Sequence, residues 1–125
     1  MAEILEEREL SKAERSLTRW LLEHGQPEAA SFLDQVDRVR VISRCACGCA
    51  SIDFDHSGAG WRSPGGVNIL SDHEWRDAEG RRFGVFVFSQ SGYLAGLEVW
   101  SIDGSATPVG LPDPDWLRAI PQQAV

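Results

Sequence analysis

The chain has 125 residues, a net charge of −7 and 42% hydrophobic residues. That composition fits one globular domain with a core of its own and excludes a disordered chain. The acidic balance argues against a nucleic-acid or anionic-membrane surface, both of which need clustered positive charge, and is compatible with a basic protein partner.

The opening MAEILEEREL carries Glu3, Glu6, Glu7 and Glu9 and lacks the apolar segment of a signal peptide. Residues 1–9 read as a frayed acidic N-terminus. No run is long and apolar enough to span a bilayer, so no membrane contact is expected and the cytoplasm is the expected compartment. The three cysteines lie within five residues, which does not suit a disulfide framework.

SKAERSLTRWLLEHG predicts a helix. Ser11 and Glu14 have capping-box spacing, Leu10, Ala13, Leu17, Trp20 and Leu21 form an apolar stripe, and Gly25 suits a left-handed cap after His24. QPEAASFLDQVD predicts a second helix, with Pro27 at its first position and Ala29, Phe32, Leu33 and Val36 inward. From Arg38 the period changes to two. RVRVISRC and ASIDFDH read as strands of a hairpin, with Cys45–Cys49 in or beside its turn. SGAGWRSPGG, residues 57–66, is a Gly-rich loop holding Trp61 and Arg62. VNILSDHEWRD is a strand bulged near Ser71–Asp72. RRFGVFVFS is apolar on both sides and belongs in the sheet centre, and YLAGLEVWSID is a fifth strand with a bulge at Gly96. In LPDPDWLRAIP, Asp113 caps a short helix beginning at Pro114, with Trp116 and Leu117 packed inward.

The expected fold is therefore a single α+β domain over residues 1–125. Two N-terminal helices pack on one face of a roughly five-stranded antiparallel meander, and a short C-terminal helix closes it.

RCACGCASIDF is the one stretch that looks like chemistry. Thiolates bind zinc and other thiophilic metals, and Cys45, Cys47 and Cys49 with His56 or His73 make a candidate ligand set. Geometry opposes this in a flat strand, where alternate side chains lie about 7 Å apart. Sulfurs sharing a zinc ion lie roughly 3.8 Å apart, so a turn at Gly48 is required. Redox chemistry at a helix start is disfavoured because no helix follows. A Cys49 nucleophile with His73 as base is a further reading, and small buried turn cysteines are the non-functional one.

SRCACGCASIDF, followed by GYLAGLEVWSIDG and LPDPDWL, resembles a family of small uncharacterised bacterial proteins. In these a strand of the RVVGRC type leads into Cys-x-Cys-Gly-Cys-x-Ser/Thr-Ile-Asp, and a Leu-x-x-Leu-Glu strand comes near the end. The resemblance runs over roughly residues 10–117 and is specific only in those short runs. It implies a bacterial single-domain protein and brings no activity, cofactor or catalytic residue with it.

If Val39, Val41, Ile52, Phe54, Val85, Val87, Leu97 and Val99 face the helices, the opposite face carries Arg38, Arg40, Arg44, Asp53, Asp55, Phe86, Phe88, Glu98 and Trp100. Arginine with aromatics is the composition of interface hot spots. Arg38, Arg40, Arg44 and Trp100, with Trp61 and Arg62 of the loop, are the candidate partner-binding residues. The leading expectation is a non-enzymatic protein-binding module without a cofactor, antitoxin-like or immunity-like, monomeric or homodimeric. The alternative is a thiophilic-metal or thiol-sensing module. A DNA-reading helix-turn-helix is excluded by Glu28, Asp34 and Asp37 on the second helix. Asp72, His73 and Glu74 do not converge on a strand, and GAGWRSPGG lacks the phosphate-loop lysine.

Overall fold

The computed structural model describes residues 3–56 and 67–120. Strand β1 (Glu3–Arg8) leads through Leu10 into helix α1 (Lys12–Glu23), and a 3₁₀ helix (Pro27–Gln35) follows. The strands β2 (Val39–Cys45), β3 (Ile52–His56), β4 (Val67–Arg76), β5 (Arg82–Gln90) and β6 (Tyr93–Ser101) come next. A 3₁₀ turn (Pro114–Trp116) and the two-residue β7 (Arg118–Ala119) end the described chain.

All seven strands form one antiparallel sheet in the order β1-β2-β3-β6-β5-β4-β7. This α+β arrangement corrects the expected five-stranded meander. Two antiparallel runs, β1-β2-β3 and β4-β5-β6, join because β3 pairs with β6 rather than with β4. Period-two alternation says which segments are strands but not which neighbour each takes, since that depends on side chains far apart in sequence.

The acidic N-terminus is also corrected: it is an edge strand. Charged side chains suit an edge, and two of them, Glu6 and Arg8, are paired here. Glu6 accepts from Arg8 at 2.8 Å and from Arg44 at 3.0 Å. Arg8 also forks onto Glu14 at 2.7 and 2.9 Å. Burial raises the Glu14 pKa, but Arg8 and the Ser11 N–H outweigh it and hold the carboxyl below its ordinary value. The expected capping box is present, with the Glu14 N–H donating to Ser11 Oγ and the Ser11 N–H to Glu14 Oε1.

Leu17, Leu21 and Leu22 of α1 pack on the sheet. The eight residues expected to face the helices are all buried there, with Phe54, Val41, Val85, Val87 and Leu97 fully enclosed. Ala13, expected in the stripe, is exposed, and buried Glu14 sits beside it. The second helix is 3₁₀ rather than α. Its apolar residues recur at i and i+3, a spacing both helix types satisfy. The tighter winding brings Gln35 onto the line of Ala29 and Phe32. There its side chain donates to Gly92 O and accepts from the Leu94 N–H, tying the helix to the β5–β6 hairpin.

Gly25 is not the left-handed cap expected. A side chain there would strike the Leu70 carbonyl and Ser71, so the glycine is required by close approach to β4. The irregularity expected at Gly96 is present: Phe88 pairs with Gly96 and Ser89 with Leu94, so Ala95 is the extra residue beside Gly96, and Gly96 is also a seat for the Phe88 ring. Trp100 lies in the same way over Gly84 of the neighbouring strand. The C-terminal helix is one 3₁₀ turn capped by Asp113, as expected, but Trp116 points outward at 59% exposure while Leu117 packs against the core. Among the described residues no helix is long and apolar enough to cross a membrane.

Candidate functional site: the cysteine turn

Cys45 is the last residue of β2, and the chain turns through Ala46–Ala50 before β3. Gly48 has φ +90°, a left-handed conformation that side chains rarely adopt, and its N–H approaches the Cys45 carbonyl at 3.4 Å. The turn is clamped from outside, since the Ala50 N–H donates to Pro108 O at 3.0 Å. Just beyond, the buried Ser51 hydroxyl stands in for a strand rung. It donates to Val99 O at 3.1 Å and accepts from the Val99 N–H at 2.9 Å.

This folding reverses the flat-strand objection. The three sulfurs lie within 4.8 Å of one another, with Cys45 Sγ and Cys47 Sγ 2.7 Å apart. A shared ion would open that pair by about 1 Å, a small movement for an exposed turn. Two backbone donors already face sulfur: the Cys47 N–H lies 3.4 Å from Cys45 Sγ, and the Cys49 N–H 3.3 Å from Cys47 Sγ. Cys47 is exposed and the other two are half-buried, with Cys49 packed against the core, so the cysteines lie in a turn but are not fully buried there.

No fourth ligand joins them among the described residues. His56, proposed for that place, stands opposite Val39 at the far end of the β2–β3 hairpin, about 20 Å along the strand from Cys45. His73 is buried under α1, edge-on to Trp20 and 3.3 Å from Ser71 Oγ. Burial, and then the neighbouring His24, lower its pKa, so it is held neutral. It is no partner for Cys49.

The four described partner-binding candidates, Arg38, Arg40, Arg44 and Trp100, do not share one patch. A register shift between Val41 and Ser43 turns Arg44 over, so it stands beside Ile52 on the helix side, bound to Glu6. Arg38 lies in the turn before β2 rather than on the sheet. Arg40 and Trp100 remain on the open face, but the register sets them near opposite ends of the sheet, about 20 Å apart along the strands. Trp61 and Arg62 lie outside the described residues.

One cluster was missed. Arg76 and Arg82 flank the turn Asp77–Arg81 and stand directly opposite each other on the open face. Their placement on either side of Asp-Ala-Glu-Gly-Arg is the signal that could have found them, because residues flanking a hairpin turn face one another. Arg118 joins them opposite Glu74, through β7. Comparison with known proteins supplies no family: the chain matches no protein-family model, no curated protein and no solved structure.

Proposed function

We propose that this chain is a thiophilic-metal-binding module, using Cys45, Cys47 and Cys49 as its thiolate ligands. The observation that carries the reading is the convergence of three sulfurs within 4.8 Å on a turn fixed by Gly48. Support also comes from the exposure of Cys47, which leaves a path for an ion. Three soft ligands suit a three-coordinate thiophilic ion such as Cu(I), or zinc completed by a ligand from outside the chain. The same cluster fits a thiol-sensing role, because its sulfurs are accessible and adjacent.

The competing protein-binding reading rests on Trp100, which is 44% exposed over Gly84, and on the outer edge of β1, where Leu5 is 85% exposed. Titration of the reduced protein with Cu(I), followed by the thiolate-to-metal charge-transfer band, separates the two. Saturation at one ion per chain, abolished in Cys47→Ser, is the expected result. Absence of a saturable band, or a band unchanged in Cys47→Ser, would sink the metal reading.

A further inference from the structure

The geometry points to a second, independent site: a pocket on the open face that binds a small planar anion. The cavity has a volume of about 610 Å³ and is lined by Glu74, Arg76, Arg82, Arg118 and the exposed Trp116. Small-molecule sites commonly span about 300–1,000 Å³.

Charge bookkeeping draws attention to this cavity. The chain carries net charge −7, and Arg8, Arg15, Arg19, Arg44, Arg81 and Arg82 all have carboxylate partners. Arg38, Arg40, Arg76 and Arg118 have none among the described residues, and two of these four, Arg76 and Arg118, line this one cavity beside Arg82. The single acid there, Glu74, is held by Arg82 at 2.9 and 3.2 Å. The pocket thus keeps an excess of positive charge on an acidic protein.

That excess is unfavourable for the fold. Arg76 and Arg82 are direct cross-strand partners, and like charges placed so repel each other. An anion accepting from both guanidinium groups would reverse the sign of that contact, and guanidinium forks fit carboxylate and phosphate oxygens alike. Trp116 supplies an uncovered ring at the rim of the same cavity, where a flat group could stack while its anionic end reaches the arginines. The shared chemistry is therefore an anionic group joined to a planar ring, with a phosphate or a carboxylate as its source.

Isothermal titration calorimetry on the full chain tests this with adenosine monophosphate as the phosphate arm and indole-3-acetate as the carboxylate arm. Saturable one-to-one binding of either is expected, and the arm that binds identifies the anion. Arg76→Gln and Arg118→Gln should each weaken it at least tenfold, Trp116→Ala should weaken it severalfold, and Cys47→Ser should leave it unchanged. Arg76→Gln should also melt no lower than the parent, since it removes a repulsion. A thermal melt of each variant separates lost binding from lost fold. If neither probe saturates at millimolar concentration, or if both arginine variants bind as the parent does, the proposal is overturned.

Discussion

The two halves of the sheet build their clusters in opposite ways. In β1-β2-β3 the three cysteines occupy five consecutive residues, and one glycine at φ +90° brings their sulfurs together. In β6-β5-β4-β7 the three arginines come from positions 76, 82 and 118, gathered only because β5 and β7 flank β4 in one register. The first cluster depends on local backbone conformation and the second on strand pairing. A local cluster is sensitive to one dihedral angle, whereas a register-built cluster is sensitive to whatever holds the strands in place.

The seam between the halves offers the strongest way to break that contrast. Among the described residues β3 and β6 pair through Ile52–Leu97 and Asp53–Gly96, reinforced by the Ser51 hydroxyl. A Cβ at Gly96 would lie 2.7 Å from Phe88 Cζ and 2.9 Å from the Ile52 carbonyl. Gly96→Val should therefore cost about 3 kcal/mol of stability or more, the upper end for an overpacked site. Urea unfolding measures it, and a loss below about 1 kcal/mol would mean the seam is looser than described.

Next in size is Gly48→Ala. Nothing lies within 4 Å of a Cβ there, so the cost is conformational, about 1–2 kcal/mol. The sharper readout is Cu(I) uptake. Relaxing the left-handed turn should separate the sulfurs and abolish the charge-transfer band, with the arginine pocket unaffected. A variant that keeps the band would show that the turn is not what assembles the thiols.

The smallest effect concerns Asp72, on the open face beside Phe86. Its buried Oδ1 has no hydrogen-bond partner among the described residues. Burial, and then the Glu74 charge, raise its pKa above the ordinary 3.8. The folded state therefore holds this proton more tightly than the unfolded chain does. Stability from this group is greatest below 3.8 and declines as pH rises through that value to the folded pKa. Asp72→Asn removes the penalty, so its Tm should be slightly above the parent's at pH 7, with the gain shrinking as pH falls from the folded pKa toward 3.8 and gone below it. A variant that melts lower at pH 7 would show that the carboxylate is stabilised by a contact.

Asp72 also marks how far reading by position can go. Alternation along β4 shows that Asp72 and Glu74 share a face opposite His73, and the pairing with β5 bears this out. It does not show that Asp72 would be half-covered and unpaired, because that depends on which strands lie alongside. Arg44 gives the same lesson in reverse. Strict alternation from Arg38 and Arg40 places it on the open face, and the register shift after Val41 turns it to the helix side. Such a shift inserts a single residue, and nothing in RVRVISRC announces it.

The sequence by itself determined most of the elements and their inward residues: the capped helix α1, the strands β2 to β6, the eight buried positions of the covered face, and the cysteine turn around Gly48. These follow from periodicity and from single-residue backbone preferences, which act over a few neighbours. Only the tertiary structure decided that the acidic N-terminus is a strand, that β3 adjoins β6, that His56 lies far from the thiols, and that three arginines meet beside Trp116. Each of these depends on pairing between distant segments. Strand order and register are set by many small side-chain contacts summed over the whole sheet, not by any residue read alone.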